Sequence, residues 1–148
     1  MLPVNGEVIA PFAGRKNRKR WEECDGSHTG VDIGVEQDSD VQAARGGVVK
    51  WVNFGRGYGP AQLAVMCDDG TMDFYGYVTE RIAGHDAVVE LGDVIGRIDG
   101  GGYLHFQTSQ VQGQADWCEN AVDPQPALEV GVEMSSEDVV EEVEEPES

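Results

Sequence analysis

Short apolar stretches separated by turn residues recur along this chain, and no window of about 11 residues shows sustained helical periodicity with capping residues. The stretches 62–67 and 71–75 flank Asp68-Asp69-Gly70, and an Asp-Gly pair between two such stretches is typical of a hairpin. The 20 glycines among 148 residues favour many turns. We therefore predict an all-β fold, a small, mostly antiparallel sheet of the barrel or sandwich type.

The predicted β domain spans residues 1–130. Its other strand-like stretches are 46–52, 87–91, 94–98 and 103–108. A closing turn at 123–126 and one short helical turn at 126–130 are expected at its end. Residues 131–148 form an acidic C-terminal tail, with 8 acids and no base from Glu133 to Ser148. Such a segment buries too little apolar area to order itself, so we expect it to be flexible or to dock on a partner.

Charge and hydropathy exclude two classes of partner. The chain has 10 basic and 28 acidic residues, a net charge of -18, and half of its bases lie between Arg15 and Arg20. Nucleic-acid binding requires a broader basic surface, so we expect none. No apolar run reaches the ~20 residues that cross a bilayer, so membrane insertion is not expected either. The first residues show no pattern of a secretory signal.

The cysteines Cys24, Cys67 and Cys118 are widely spaced and form no Cys-x-x-Cys pair. They indicate neither a disulfide framework nor a thiolate zinc finger. One pair could form a bridge, but buried free thiols are the expected state.

The three histidines can be considered one by one. His28 precedes Asp32 by four residues, and imidazole nitrogen and carboxylate oxygen are both zinc ligands. A carboxylate at a fixed offset from a histidine is common in so acidic a chain, so this pair alone is weak evidence for a metal site. A catalytic zinc site has three protein ligands, so a third ligand is needed. His105 lies in an alternating stretch that places it on one face with Tyr103 and Gln107, while Leu104 and Phe106 face the other way.

Taken in order, these segments resemble the LytM/lysostaphin-like zinc metallopeptidases of peptidase family M23. That family opens with a Pro-Gly entry and a Pro-Phe-Gly turn, and then has a His-x-Gly-x-Asp-Ile motif, an Ala-x-x-Gly-x-Val strand, a Tyr-x-His-Leu strand, a Gly-x-x-Val-x-x-Gly hairpin and a His-Leu-His-Phe-Glu strand. In the same order, the segments here are Pro3–Gly6, Pro11-Phe12, His28–Ile33, Ala44–Val49, Phe74–Val78, Gly92–Gly96 and Tyr103–Gln107. The ending Val122–Pro124 also resembles the close of that family. The resemblance covers residues 3 to about 128.

The resemblance implies that His28, Asp32 and His105 bind one Zn²⁺. The family's two other histidines are replaced here by Tyr77 and Tyr103. A phenol is a poor base at neutral pH but a good hydrogen-bond donor to an oxyanion, so these tyrosines are the candidate catalytic residues. Gln107, on the face of His105, is a candidate substrate contact.

Two functions follow from the resemblance. The first is a zinc endopeptidase that cuts the peptide part of bacterial peptidoglycan, as a lytic or virion-associated phage component. The second is a catalytically weakened module with a structural or wall-binding role in a phage tail, where other tail or virion proteins would be its partners. In either case the protein would be found in the virion, or in the host cytoplasm before release, and would act at the cell wall.

Several residues have a plainer interpretation. His85 could be a substitute base, but an exposed loop imidazole is the more common case. Trp51 is predicted to be a core residue on a buried strand, and Trp21 and Trp117 to pack in the core or at an interface. The hairpin at 89–96 also resembles that of biotinyl and lipoyl carrier domains, but Lys50 is held within a strand and not at a hairpin tip, so we reject that function.

Overall fold

The computed structural model describes a mostly antiparallel β fold, and the described residues are 2–4, 6–10, 30–35, 37–54, 58–110, 112, 121–122 and 124–129. They form eleven strands and one short helix. In chain order these are β1 Glu7–Ala10, β2 Val31–Val35, β3 Ser39–Gln42, β4 Gly47–Trp51, β5 Leu63–Met66, β6 Met72–Gly76, β7 Glu80–Arg81, β8 Val88–Val89, β9 Val94–Ile98, β10 Gly102–Ser109, β11 Ala121–Val122 and α1 Gln125–Glu129.

The strands form two sheets, and every pair among the described residues is antiparallel. The larger sheet has the order β1-β2-β10-β6-β5-β4-β8, with β11 also pairing with β10. The smaller sheet has the order β3-β9-β7. The predicted all-β, antiparallel class is therefore confirmed. The strand β10 is the longest and lies between β2 and β6.

The Asp-Gly turn forms the predicted hairpin between β5 and β6. The Cys67 N–H donates to the Thr71 carbonyl at 2.9 Å, and the Gly70 N–H donates to the Cys67 carbonyl at 3.1 Å. Gly70 has a φ of 90°, which is the left-handed conformation that closes a three-residue hairpin loop.

The hydrophobic core lies on one face of the large sheet. Alternate residues of its central strands are fully buried there, including Leu104 and Phe106 on β10, Tyr75 on β6 and Leu63 on β5. The smaller sheet adds apolar side chains of β3 and β9 to the same cluster. Because β10 alternates as the sequence predicted, its other face is available for polar side chains.

One core prediction was wrong. Trp51 is 45% exposed and lies outside the core cluster. The pleat places it on the same face as the buried Val49, but Trp51 is the last residue of β4. Its indole N–H donates to the Ala83 carbonyl at 3.0 Å. The Arg81 guanidinium lies over its ring, 4.9 Å from the centroid.

Some predictions fall outside the described residues. They concern Trp21, Trp117, Cys24, Cys118, the basic cluster at 15–20 and the acidic tail 131–148. The domain boundary at residue 130 therefore stays a prediction. Cys67 is a buried free thiol, as expected. Among the described residues no helix is long and apolar enough to cross a membrane.

Candidate metal centre

The pairing of β2 with β10 places Asp32 directly opposite His105. The Oδ1 atom of Asp32 lies 2.9 Å from Nδ1 of His105. Asp32 is 8% exposed and His105 only 2%. Two residues 73 positions apart in sequence thus form a buried carboxylate–imidazole pair, and the strand register alone brings them together.

The second ring nitrogen of His105 contacts Gln107, two residues further along the same face of β10. Nε2 of His105 lies 3.0 Å from Oε1 of Gln107, which is fully buried. The predicted shared face of these two residues is therefore present. Gln107 lies against the imidazole, and its role as a substrate contact stays a prediction.

The donor set of this pair fits a metal ion. A neutral imidazole has one N–H, and both nitrogens of His105 face an oxygen atom. If the N–H is on Nε2 and donates to Gln107, the lone pair of Nδ1 faces the carboxylate of Asp32. The lone pair and the carboxylate oxygen would then repel each other, whereas a cation between them would bind both. Tetrahedral zinc with ligand bonds near 2.1 Å needs an N–O separation of about 3.4 Å, within roughly half an ångström of the observed distance.

The third implied ligand, His28, lies outside the described residues. Within the described part of the chain, no group of three or more His, Cys, Asp or Glu side chains is arranged to hold a metal ion. Asp32 and His105 are brought together. The complete ligand set stays a prediction.

Tyr77 and Tyr103 pack against each other. The ring centroids of Tyr77 and Tyr103 are 4.7 Å apart, and Tyr103 is 37% exposed. Tyr77 directly follows β6 and has a φ of 71°, a conformation that is uncommon for a residue with a side chain. Both tyrosines named from the sequence therefore lie together at the same end of β6 and β10, and their catalytic role stays a prediction.

Sequence reasoning missed Tyr58. Its ring centroid lies 5.1 Å from that of His105 and 5.9 Å from that of Tyr77. Tyr58 lies in a loop between β4 and β5, next to Gly59 and Pro60, and no alternation or metal-ligand spacing marks it. The only signal is an aromatic residue in a glycine-rich segment, which is more often a turn than a site.

His85 lies at the other end of the large sheet. Its Nδ1 accepts a hydrogen bond from the backbone N–H of Trp51 at 3.0 Å, and about half of its side chain is exposed. Trp51 belongs to β4, which is separated from β10 by β5 and β6. His85 is therefore an exposed loop imidazole, and nothing places it over the Asp32–His105 pair.

A second buried carboxylate, Asp73, lies on the core face of β6. Arg45 donates to both of its oxygens, from Nε at 2.9 Å and from Nη2 at 2.6 Å. The Thr108 hydroxyl donates to Oδ1 at 3.0 Å, and the Cys67 Sγ lies 3.7 Å from Oδ2. We call these four residues the Arg45–Asp73 cluster. Hydrogen bonding to Asp73 raises the pKa of Arg45, and burial, followed by the charge of Asp73, raises the pKa of Cys67 to about 12.

Comparison with known proteins gives a family and a fold. The sequence model of the family described as Peptidase family M23 matches residues 26–124. That segment contains all of the candidate site residues. No curated protein sequence matches the chain.

Solved structures with this fold include three bacterial domains. The catalytic domain of the antimicrobial peptidase lysostaphin from Staphylococcus simulans is 21% identical, with a TM-score of 0.68, over 84% of this chain and 93% of that one. The protein cbpa from L. salivarius REN is 18% identical, with a TM-score of 0.68, over 86% and 90%. A mutant catalytic domain of the prophage-encoded M23 protein EnpA from Enterococcus faecalis is 17% identical, with a TM-score of 0.61, over 81% and 89%.

Proposed function

Because this chain belongs to peptidase family M23, we propose that it is a zinc metallopeptidase that cleaves the peptide part of bacterial peptidoglycan. The observation that carries the proposal is the contact of 2.9 Å between Asp32 Oδ1 and His105 Nδ1. With His28, these residues would hold the ion. When bound, zinc supplies a Lewis acid for the peptide carbonyl and lowers the pKa of a coordinated water.

Gln107 supports the proposal through the tautomer of His105. Metal-binding histidines usually donate their other N–H to an oxygen acceptor, which fixes the ring and keeps the ligand nitrogen unprotonated. The Gln107 Oε1 at 3.0 Å from Nε2 is such an acceptor. We therefore give Gln107 the role of orienting a ligand. We propose this role in place of the substrate contact expected from the sequence, because Gln107 is fully buried.

Tyr103 is our candidate for stabilising the negative charge that develops on the carbonyl oxygen during cleavage. It lies on the same face of β10 as His105, is partly exposed and packs against Tyr77. Its hydroxyl can donate a hydrogen bond to the oxyanion that develops on the cleaved carbonyl, whereas it cannot act as an efficient base at neutral pH. We expect slow turnover, since losing a positioned base costs on the order of 10² to 10⁴ in rate.

The test measures zinc content and digestion of purified peptidoglycan by the same preparation. We expect one zinc per chain and slow digestion. His105→Ala should lose the zinc, and the matched control His85→Ala should keep it, because His85 lies at the other end of the sheet. Zinc retained in His105→Ala would contradict the site.

Two variants of Tyr103 test its role. Tyr103→Phe should reduce digestion by about 10² to 10³, the range found when one oxyanion donor is removed. Tyr103→His should raise the rate, alone or together with Tyr77→His. No digestion by the native protein or by these histidine variants would favour the second function, a weakened module that binds or supports rather than cuts.

We also propose a place of action, the bacterial cell wall reached from a phage particle. The support is the similarity in fold to the prophage-encoded EnpA domain. Detection of the protein in purified particles, with antibody or by mass spectrometry, tests this proposal. Other tail or virion proteins would then be its partners, and absence from particles that digest cell walls would contradict it.

A further inference from the structure

Tyr58 contacts the candidate metal ligand His105 through its ring. The two ring centroids are 5.1 Å apart and the ring planes are tilted by 32°, which is a close ring-on-ring contact. Phe74 meets both rings edge-on, at 5.2 Å from Tyr58 and 6.3 Å from His105. Tyr58 and Phe74 therefore confine the imidazole plane, while Asp32 and Gln107 hold its two nitrogens.

Gly76 leaves room for the contact between the rings of Tyr58 and His105. It is the register partner of His105 on β6. A Cβ atom at this position would lie 3.1 Å from Cδ1 of Tyr58, 3.4 Å from Cβ of His105 and 3.0 Å from Cε2 of Phe74. A Cβ atom there would be in tight contact with Tyr58, Phe74 and His105, so a side chain opposite His105 would press on these rings.

Tyr58 also contacts the tyrosine pair through its backbone. Its carbonyl accepts a hydrogen bond from the Tyr77 N–H at 2.6 Å. Gly59, with a φ of 90°, allows this close approach, because a Cβ there would lie 3.2 Å from Cα of Tyr77. The bond holds Tyr77 in its left-handed conformation, and Tyr77 in turn packs against Tyr103.

We propose that Tyr58 is a positioning residue of this site, whose ring fixes the plane of His105 and whose backbone carbonyl holds Tyr77 beside Tyr103. The inference rests on the proposed function. That function gives a reason for fixing the His105 ring, because a metal ligand must present its nitrogen at one angle. Tyr58 acts through His105 and Tyr77 and is not itself assigned a contact with substrate.

The experiment compares Tyr58→Leu with Tyr58→Phe. The leucine variant removes the ring, whereas the phenylalanine variant keeps the ring and loses only the hydroxyl. Zinc affinity is measured by competition with a chromophoric chelator, and the order of the His105 ring is measured in the metal-free protein from its carbon-bound proton signals in NMR spectra. We expect Tyr58→Leu to bind zinc about tenfold more weakly, in the range found when outer-shell partners of a metal ligand are changed. Its His105 ring signals should shift and broaden, and Tyr58→Phe should match the native protein in both measurements.

Gly76→Ala provides a second route to the same effect, because its methyl group crowds Tyr58, Phe74 and His105 without changing any of them. It should weaken zinc binding and broaden the His105 signals in the same direction as Tyr58→Leu. Native zinc affinity and native ring signals in a folded Tyr58→Leu protein would overturn the proposal, and so would equal losses in Tyr58→Phe and Tyr58→Leu. If the native protein bound no zinc, the proposed function would fail, whereas the ring signals of the metal-free variants would still decide the role of Tyr58.

Discussion

Asp32 on β2 and Asp73 on β6 are both buried aspartates on strands that pair with β10, but they lie on opposite faces of the large sheet. Asp73 lies on the core face, with both oxygens bound by Arg45 and one also by the Thr108 hydroxyl. Asp32 lies on the site face against the imidazole of His105. A guanidinium only donates hydrogen bonds, whereas a neutral imidazole can present a lone pair. The chemistry of the partner therefore separates the two carboxylates more clearly than burial does.

The comparison predicts different consequences for the two regions. Changes around Asp73 should appear in the free energy of unfolding, because removing one partner of a buried ion pair leaves the other charge uncompensated. Changes around Asp32 should appear in metal binding.

The largest expected effect is that of Asp73→Ala. It leaves the Arg45 guanidinium, whose side chain is 17% exposed, without its main partner. Unpaired buried charges cost about 3 to 5 kcal/mol, so the unfolding free energy should fall by that order in a urea titration. The double variant Arg45→Met with Asp73→Leu removes both charges and should recover most of the loss. A stable single variant would contradict a structural role.

Asp32→Asn should separate metal binding from stability. The amide keeps the shape of the carboxylate and loses the charge that attracts a cation, so zinc affinity should fall by more than the roughly 10- to 100-fold found for outer-shell changes. The unfolding free energy of the metal-free protein should fall by less than it does in Asp73→Ala, because the amide keeps its place beside His105 and no guanidinium loses its partner. Chelator competition and urea titration measure the two quantities. A large loss of stability with native zinc affinity would reverse the assignment of the two aspartates.

Cys67 reports on the Arg45–Asp73 cluster at high pH. Burial raises the pKa of its thiol from 9.0 to about 12, so the folded protein keeps the proton more tightly than the unfolded chain. Its contribution to stability is therefore complete below pH 9 and is lost as the pH rises towards 12. The unfolding free energy should decrease across that interval, and the decrease should be smaller in Cys67→Ser.

The same thiol should be slow to react. Only the thiolate is nucleophilic, so iodoacetamide at pH 8 should label Cys67 at least about tenfold more slowly in the folded protein than in urea. Peptide mapping distinguishes Cys67 from the other two cysteines. Equal labelling rates would show that the cluster opens readily.

Asp69 at the rim of the cluster should have the smallest effect. It accepts hydrogen bonds from the Thr71 N–H and hydroxyl, and its side chain is 58% exposed. These bonds lower the pKa of Asp69. Its small contribution to the unfolding free energy is therefore present above pH 3.8, the ordinary pKa, and is lost as the pH falls below that value. Asp69→Asn should cost less than about 1 kcal/mol at neutral pH, measured beside Asp68→Asn from the same turn.

The sequence predicted the parts of the fold that local chemistry determines. The Asp-Gly turn at 68–70 and the alternation around His105 both depend on residues close together in sequence. Asp32 and His105 were named together only through the family resemblance, because their contact depends on strand register across 73 positions. Their partner His28 and the tail remain predictions.

The errors and omissions have physical causes. Trp51 was expected in the core because tryptophan is usually buried, but it ends β4 and its indole is held at the surface by Ala83 and Arg81. Tyr58 was missed because a loop aromatic has no periodicity, and only the folded chain shows that its ring reaches His105. The Arg45–Asp73 ion pair joins β6 to the turn before β4, and no sequence spacing indicates such a pairing.

The register of β2 against β10 also has a consequence for the order of folding. We expect strands so distant in sequence to pair late, because the loop between them must close before their contacts compensate for the lost chain entropy. A slip of one residue would present Leu104 or Phe106 to Asp32 in place of His105. We therefore expect the Asp32–His105 pair, and any metal binding that depends on it, to form only when β2 and β10 have paired in the native register.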